Sequence, residues 1–118
     1  MAIPEALMVR VAERLRVLGQ PVRLRLVERL VGVEESTPQD LSDALGLAQQ
    51  NVSKHLLVLH RAGIVSRRPE GANVWYALRD EGAVVVFERT VESVRGQLRE
   101  LADLAIEDDD SDDVSSGR

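Results

Sequence analysis

The stretch 37–63 constrains this chain more than any other. It holds two short helical patterns separated only by Gly46-Leu47-Ala48. The first opens at Thr37-Pro38-Gln39-Asp40: Thr37 stands as an N-cap, Pro38 suits the first turn, and an acid follows three residues after the cap. A helix is predicted over Pro38–Leu45, ended by Gly46 in the left-handed conformation. The second pattern predicts a helix over Gln49–Ala62 that stops at Gly63, with Val52, Leu56 and Leu59 on its buried face. So short a connection forces the two helices to cross and pack on each other.

The remaining elements are read around this pair. Leu7, Val11, Leu15 and Leu18 recur at helical steps and predict a helix over Glu5–Leu18. Gly19-Gln20-Pro21 breaks it. Pro21 starts a second helix that runs to about Gly32, with Leu24, Val27, Leu30 and Val31 apolar. Glu34-Glu35-Ser36 is a polar loop. Ile64–Arg68 and Asn73–Ala77 are rich in strand formers, with Pro69-Glu70-Gly71 between them, and predict a β-hairpin. Asp80–Ile106 predicts a long helix. On it Phe87, Val91, Val94, Leu98, Leu101 and Ala105 alternate by four and three, the spacing of a coiled-coil seam. Residues 107–118 are acidic without apolar period and read as a disordered, solubilising tail. The expected fold is mainly α, in the order α-α-α-α-β-β-α, with one domain over 1–106.

Composition narrows the chemistry. Aromatic residues make up 3% of the 118, so the core must be built from Leu, Val and Ala, which suits packed helices. There is no cysteine, which excludes disulfides and cysteine-ligated metals. No basic segment followed by an apolar run opens the chain, and no stretch has the length of a membrane span, so a cytoplasmic location is expected. No nucleophile, base and orienting group come together, and there is neither a phosphate loop nor a metal triad, so an enzyme is not expected. The formal net charge of −5 conceals a split. Residues 1–79 carry 11 Lys and Arg against 8 Asp and Glu, whereas 80–118 carry 4 against 12. Within Gln49–Arg79, Lys54, Arg61, Arg67, Arg68 and Arg79 face the single acid Glu70. A local basic face decides phosphate contact, not the whole-chain average.

Those features point to DNA. In a helix-turn-helix, the second helix enters the major groove with polar side chains meeting base edges. Here they are Gln49, Gln50, Asn51, Ser53 and Lys54, with His55 next in line. Gln and Asn pair with adenine, and Lys reaches guanine or phosphate. A two-stranded wing beside such a helix lies on the backbone or in the minor groove, and Arg67 and Arg68 supply its charge. The competing readings are a solvated helix face in an ordinary bundle and a dimerisation scaffold without DNA reading. A scaffold has no need of the polar row Gln49 to Lys54.

Five segments together resemble the ArsR/SmtB family of winged-helix repressors: Leu18–Leu26 (LGQPVRLRL), Asp40–Leu47 (DLSDALGL), Asn51–Leu59 (NVSKHLLVL), Ala62–Val65 (AGIV) and Glu70–Leu78 (EGANVWYAL). The resemblance implies a homodimer paired through the first and last helices, bound to a pseudo-palindromic operator. It places Leu7, Val11, Phe87, Val91, Val94, Leu98 and Leu101 in the dimer contact. Packing of the last helix against the chain's own first helix is the alternative use of that seam. Repression by occupying the operator is the implied default; activation, with a signal carried by a partner protein, is the alternative.

The departures from the family pattern are specific. Ala48 stands where the family often has a Ser or Thr cap. Gln50 replaces a common proline, Lys54 a common histidine, and Ala72 a basic wing tip. The family's metal-binding cysteines are missing from Ser36–Asp40, and Arg79–Glu107 has no His. Glu88 and Glu92, one turn apart, make a poor transition-metal site without other ligands. His55 and His60 point apart on their helix and cannot share one ion within a chain. His55 is expected to pack or to lie near DNA, and His60 to cap or lie at the surface. No metal and no cofactor is expected.

Overall fold

The structure, a computed structural model, describes residues 2–116, with side chains described as far as residue 106. Where a disordered tail is expected, the last helix runs on over 107–116, with no side chain described beyond residue 106, and residues 117–118 lie outside the described part. The elements are α1 (Glu5–Leu18), α2 (Pro21–Val31), α3 (Pro38–Leu45), α4 (Gln49–Arg61), β1 (Val65–Glu70), β2 (Asn73–Leu78) and α5 (Glu81–Ser116). They fall into two units, Met1–Val85 and Val86–Arg118.

In the first unit, local chemistry sets most helix ends. Gln20 caps α2 by accepting the Arg23 N–H at 2.9 Å, and Pro21 takes the first turn. Thr37 caps α3 by accepting the Asp40 N–H at 3.1 Å. Gly46 ends α3 at φ 66°, a conformation that costs a residue with a Cβ. Asp80 caps α5 by accepting the N–H groups of Gly82 and Ala83 at 3.0 and 3.3 Å, so the helix begins one residue later than the apolar period suggests.

The core lies where α2, α3, α4 and the hairpin meet. Leu26, Val27 and Leu30 of α2, Leu41 of α3, and Val52, Leu56 and Leu59 of α4 are buried there with Ile64, Val65 and Tyr76. On α2 the apolar residues are not equally buried. Leu26 is fully buried, while Leu24 is half-buried and Val31 is exposed. Periodicity marks an apolar side but not its centre, because Leu24, Leu26, Val27, Leu30 and Val31 together cover more than one face. On α1 only Val17 and Leu18 are buried; Leu7, Val11 and Leu15 are about half exposed, at 51%, 43% and 50%.

The hairpin is tighter than the sequence suggests. Pro69 and Glu70 belong to β1 and pair with Val74 and Asn73, leaving only Gly71-Ala72 in the turn. Pro69 is tolerated because β1 is an edge strand, where its missing N–H costs no ladder bond. The other edge is covered in part: Ser36 and Tyr76 exchange backbone hydrogen bonds at 2.9 and 2.8 Å. The loop before α3 thus contributes a bridge to the sheet.

The second unit is the length of α5 from Val86 onward. Val94, Leu98 and Leu101 are exposed, and Phe87 and Val91 are half-buried. Among the described residues, no helix is long and apolar enough to cross a membrane.

Leu56 is a direct test of this core. Leu56→Ala is expected to cost about 2–5 kcal/mol in urea denaturation, the range for a fully buried leucine whose cavity collapses only partly. A cost below about 1 kcal/mol would mean that the α4 face is not held as described.

Candidate nucleic-acid interface

The site begins with the turn between α3 and α4. Leu47 N–H donates to Ser42 O at 3.1 Å, and the Ser42 hydroxyl donates to Leu47 O. Both polar groups of Leu47 are therefore held by one residue of α3. Ala48 occupies the N-cap of α4 with extended backbone and makes no side-chain cap bond. The first N–H groups of α4 are left without a side-chain acceptor from the cap residue, and they carry the partial positive charge of a helix start.

Burial of Val52, Leu56 and Leu59 fixes which side of α4 faces out. The opposite side carries Gln50, Lys54, Leu57 and Arg61 at steps of four, three and four residues, all exposed. Gln49 and Asn51 are exposed beside them, and Ser53 is half-buried on the flank. The structure thus places Gln50 and Lys54 on one outward line, with Asn51 exposed on its flank and Gln49 exposed at the start of the helix. Two residues outside the polar row read from the sequence extend the line, Arg61 having been read there only as part of the basic stretch. Leu57 is 39% exposed in the middle of the line, and Arg61 ends it. The helical period running on from Gln50 was the signal for both.

His55 lies off that line. It is half-buried, and its Nδ1 sits 3.3 Å from Arg23 Nη1. A guanidinium can only donate, so Nδ1 accepts and the ring is neutral with its proton on Nε2. Burial, with the charges of Arg23 and then Lys54, pushes the imidazole below its ordinary value near 6.5. The same Arg23 donates from Nε to Val17 O at 2.5 Å, so it ties the end of α1 to α4. His60, by contrast, places Nδ1 3.3 Å from Val65 O, at the junction of α4 and β1.

The two wing arginines differ in environment. Arg68 donates from Nε and Nη2 to the two oxygens of Glu35, each at 2.9 Å, and from Nη1 to Glu70 at 2.7 Å. The hydrogen bond to Arg68 holds the Glu35 carboxyl below its ordinary range, and the two carboxylates raise the guanidinium's own proton affinity further. Arg67 is exposed, and among the described residues no carboxylate pairs with it; the same holds for Lys54 and Arg61. Glu35, which the sequence offers only as a loop acid, is thus the residue that occupies Arg68. No group of three or more His, Cys, Asp or Glu is placed to hold a metal among the described residues.

This difference predicts unequal effects on DNA. Arg67→Ala is expected to lower the slope of log affinity against log salt by about one, the share of one phosphate contact. Arg68→Ala is expected to change that slope by less than half as much. Equal losses in a salt titration would place both guanidinium groups on phosphate.

A family model described as "Helix-turn-helix domain" matches residues 18–68. The uncharacterized HTH-type transcriptional regulator Rv0081 of Mycobacterium tuberculosis is 39% identical over 67 residues, 57% of this chain and 59% of that protein. Its crystal structure matches with a TM-score of 0.71 at 28% identity, over 82% of this chain and 97% of that one. The HTH-type transcriptional repressor SmtB of the same organism is 36% identical over 77 residues, 65% of this chain and 56% of that protein. The chain therefore spans 56–59% of the length of these two sequence relatives. The transcriptional repressor BigR from Xylella fastidiosa is 33% identical over 72% of this chain and 86% of that one, with a TM-score of 0.64. Sharing motif segments, fold and about a third of the aligned residues with such repressors, the chain belongs to the ArsR/SmtB family of winged helix-turn-helix transcriptional regulators.

Proposed function

We propose that the protein is a sequence-specific DNA-binding repressor that acts as a homodimer on a two-fold operator. The observation that carries the reading is the outward side of α4. Gln50, Lys54 and Arg61 stand directly opposite the buried Val52, Leu56 and Leu59, with no carboxylate partner for either cation among the described residues. A helix held by one face and polar on the other is what major-groove reading requires. Gln50 and Asn51 are suited to adenine, and Lys54 to guanine or phosphate. Leu57, apolar and exposed in the same row, is suited to a thymine methyl. Arg67 on the wing and Arg61 at the end of α4 supply backbone contacts. Repression is supported by the names of SmtB and BigR, both called transcriptional repressors.

Dimerisation is supported by apolar surface that each unit leaves uncovered. Leu7, Val11 and Leu15 on α1 are exposed, and so are Val94, Leu98 and Leu101 on α5. On each helix, a row of exposed apolar side chains repeated every turn marks an interaction surface rather than ordinary scatter. One solved relative in the same fold, a domain from Mycobacterium bovis, is described as homodimeric.

Two measurements test this. A duplex selected by the protein from a random-sequence pool should be bound at least about ten-fold more weakly by Lys54→Ala, the scale of one charge-assisted contact. Selection of no sequence at all would remove the DNA reading. Leu98→Asp, with its charge set in the seam, should run as a monomer in light scattering while keeping its helical circular dichroism. A dimer unchanged in mass would move the interface off α5.

A further inference from the structure

We propose that Arg14 is a positioning residue for DNA reading: from α1 it clamps the C-terminal end of α4 to the capped start of α5. The inference rests on the reading of α4 as the DNA-contacting helix, and adds a residue that acts on it from behind.

Three contacts converge there, all within the first unit. Arg14 Nη2 donates to the carbonyl of Ala62, the C-cap residue of α4, at 2.9 Å. Arg14 Nη1 pairs with Asp80 Oδ2. Asp80 uses its other oxygen, Oδ1, to cap α5 through Gly82 and Ala83. The backbone brings Asp80 to this place independently, because Ile64 O accepts from Arg79 N at 3.0 Å and from Asp80 N at 3.3 Å. Gly63, at φ 76°, makes the left-handed turn beside this contact, and a Cβ there would meet Arg14 Nη2 at an ordinary 3.5 Å.

The chemistry suits the task. The last carbonyls of a helix lack intrahelical donors and carry partial negative charge, so a guanidinium is a favourable partner. Its planar fork reaches two acceptors in fixed directions, which a lysine cannot do. Arg14 also shares its side of α1 with Leu7, Val11 and Leu18, at helical steps of four and three. A polar residue interrupts the apolar row at the point where α1 meets the end of α4. Pulling there sets the angle at which Lys54 and Arg61 are presented, without Arg14 touching DNA.

A duplex selected by the wild-type protein from a random pool is the probe. Arg14→Ala is expected to bind it about ten-fold more weakly, the scale of one lost charge-assisted bond. The salt slope should equal that of wild type, because no phosphate contact is lost. Arg14→Lys should recover only part of the affinity. In the DNA-free protein, amide exchange at Ala62–Ile64 should be faster in Arg14→Ala. If Arg14→Ala loses its fold by circular dichroism, Asp80→Asn carries the test, since it keeps a capping oxygen but weakens the pair; its expected effect is a smaller loss in the same direction. Unchanged affinity overturns the proposal, and so does a slope lowered by about 0.9, which would make Arg14 a direct phosphate contact. If the wild-type protein selects no duplex, the DNA reading fails and this inference falls with it. Wild-type binding with unaffected Arg14 and Asp80 variants overturns the positioning role alone.

Discussion

The insertion of Val52, Leu56 and Leu59 into the core is the interaction on which the rest of the structure depends. All three are fully buried, and each is worth about 1.5–3 kcal/mol in transfer from water. A helix pinned along one narrow face has no rotational freedom left. Its opposite side is then fixed by geometry, and Gln50, Lys54, Leu57 and Arg61 come to the surface as a row. The turn before α4 adds direction to this. Ser42 holds both polar groups of Leu47, and Gly46 turns the chain in a conformation that other residues resist. The weak start of α4, with Ala48 making no cap bond, is thereby offset by the segment that precedes it.

The middle and the C-terminal end of α4 are tied by arginines from other helices. Arg23 reaches His55 and the last turn of α1; Arg14 reaches Ala62 and Asp80. In a domain with three aromatic residues the core supplies packing but few directional contacts. Guanidinium groups bonded to helix-end carbonyls supply direction instead, because they satisfy groups that no apolar side chain serves. The wing follows the same logic. Ser36 joins the sheet beside Tyr76, and Glu35, the next residue back, takes the Arg68 fork. Charge that looks available in a linear reading is in this way spent inside the molecule.

Both units carry apolar surface without cover in a single chain, on α1 and on α5. Exposure of leucine and valine at about half their area is tolerable for scattered residues but not for a row repeated every turn. This is the physical ground for reading these helices as association surfaces.

Much of the architecture was legible in the sequence, for local reasons. Thr37-Pro38, Gly46 and Gly63 set helix ends through hydrogen bonds and dihedral angles that involve only near neighbours, and the period of Val52, Leu56 and Leu59 named the buried side of α4 correctly. The polar row Gln49–Lys54 was visible for the same reason. What was not legible depended on partners distant along the chain. No local signal separates Arg67 from Arg68, yet Glu35, 33 residues away from Arg68, engages only the latter. His55 falls in the middle of α4 beside the polar row by sequence, but Arg23 and burial draw it aside. Which of the several apolar residues of α2 are buried was settled by the side that met the rest of the core. The sequence by itself determined the elements and the polarity of their faces, because those follow from neighbours a turn apart. Tertiary structure alone decided which charges remain open to a ligand, because an ion pair is made by the two groups that folding brings together.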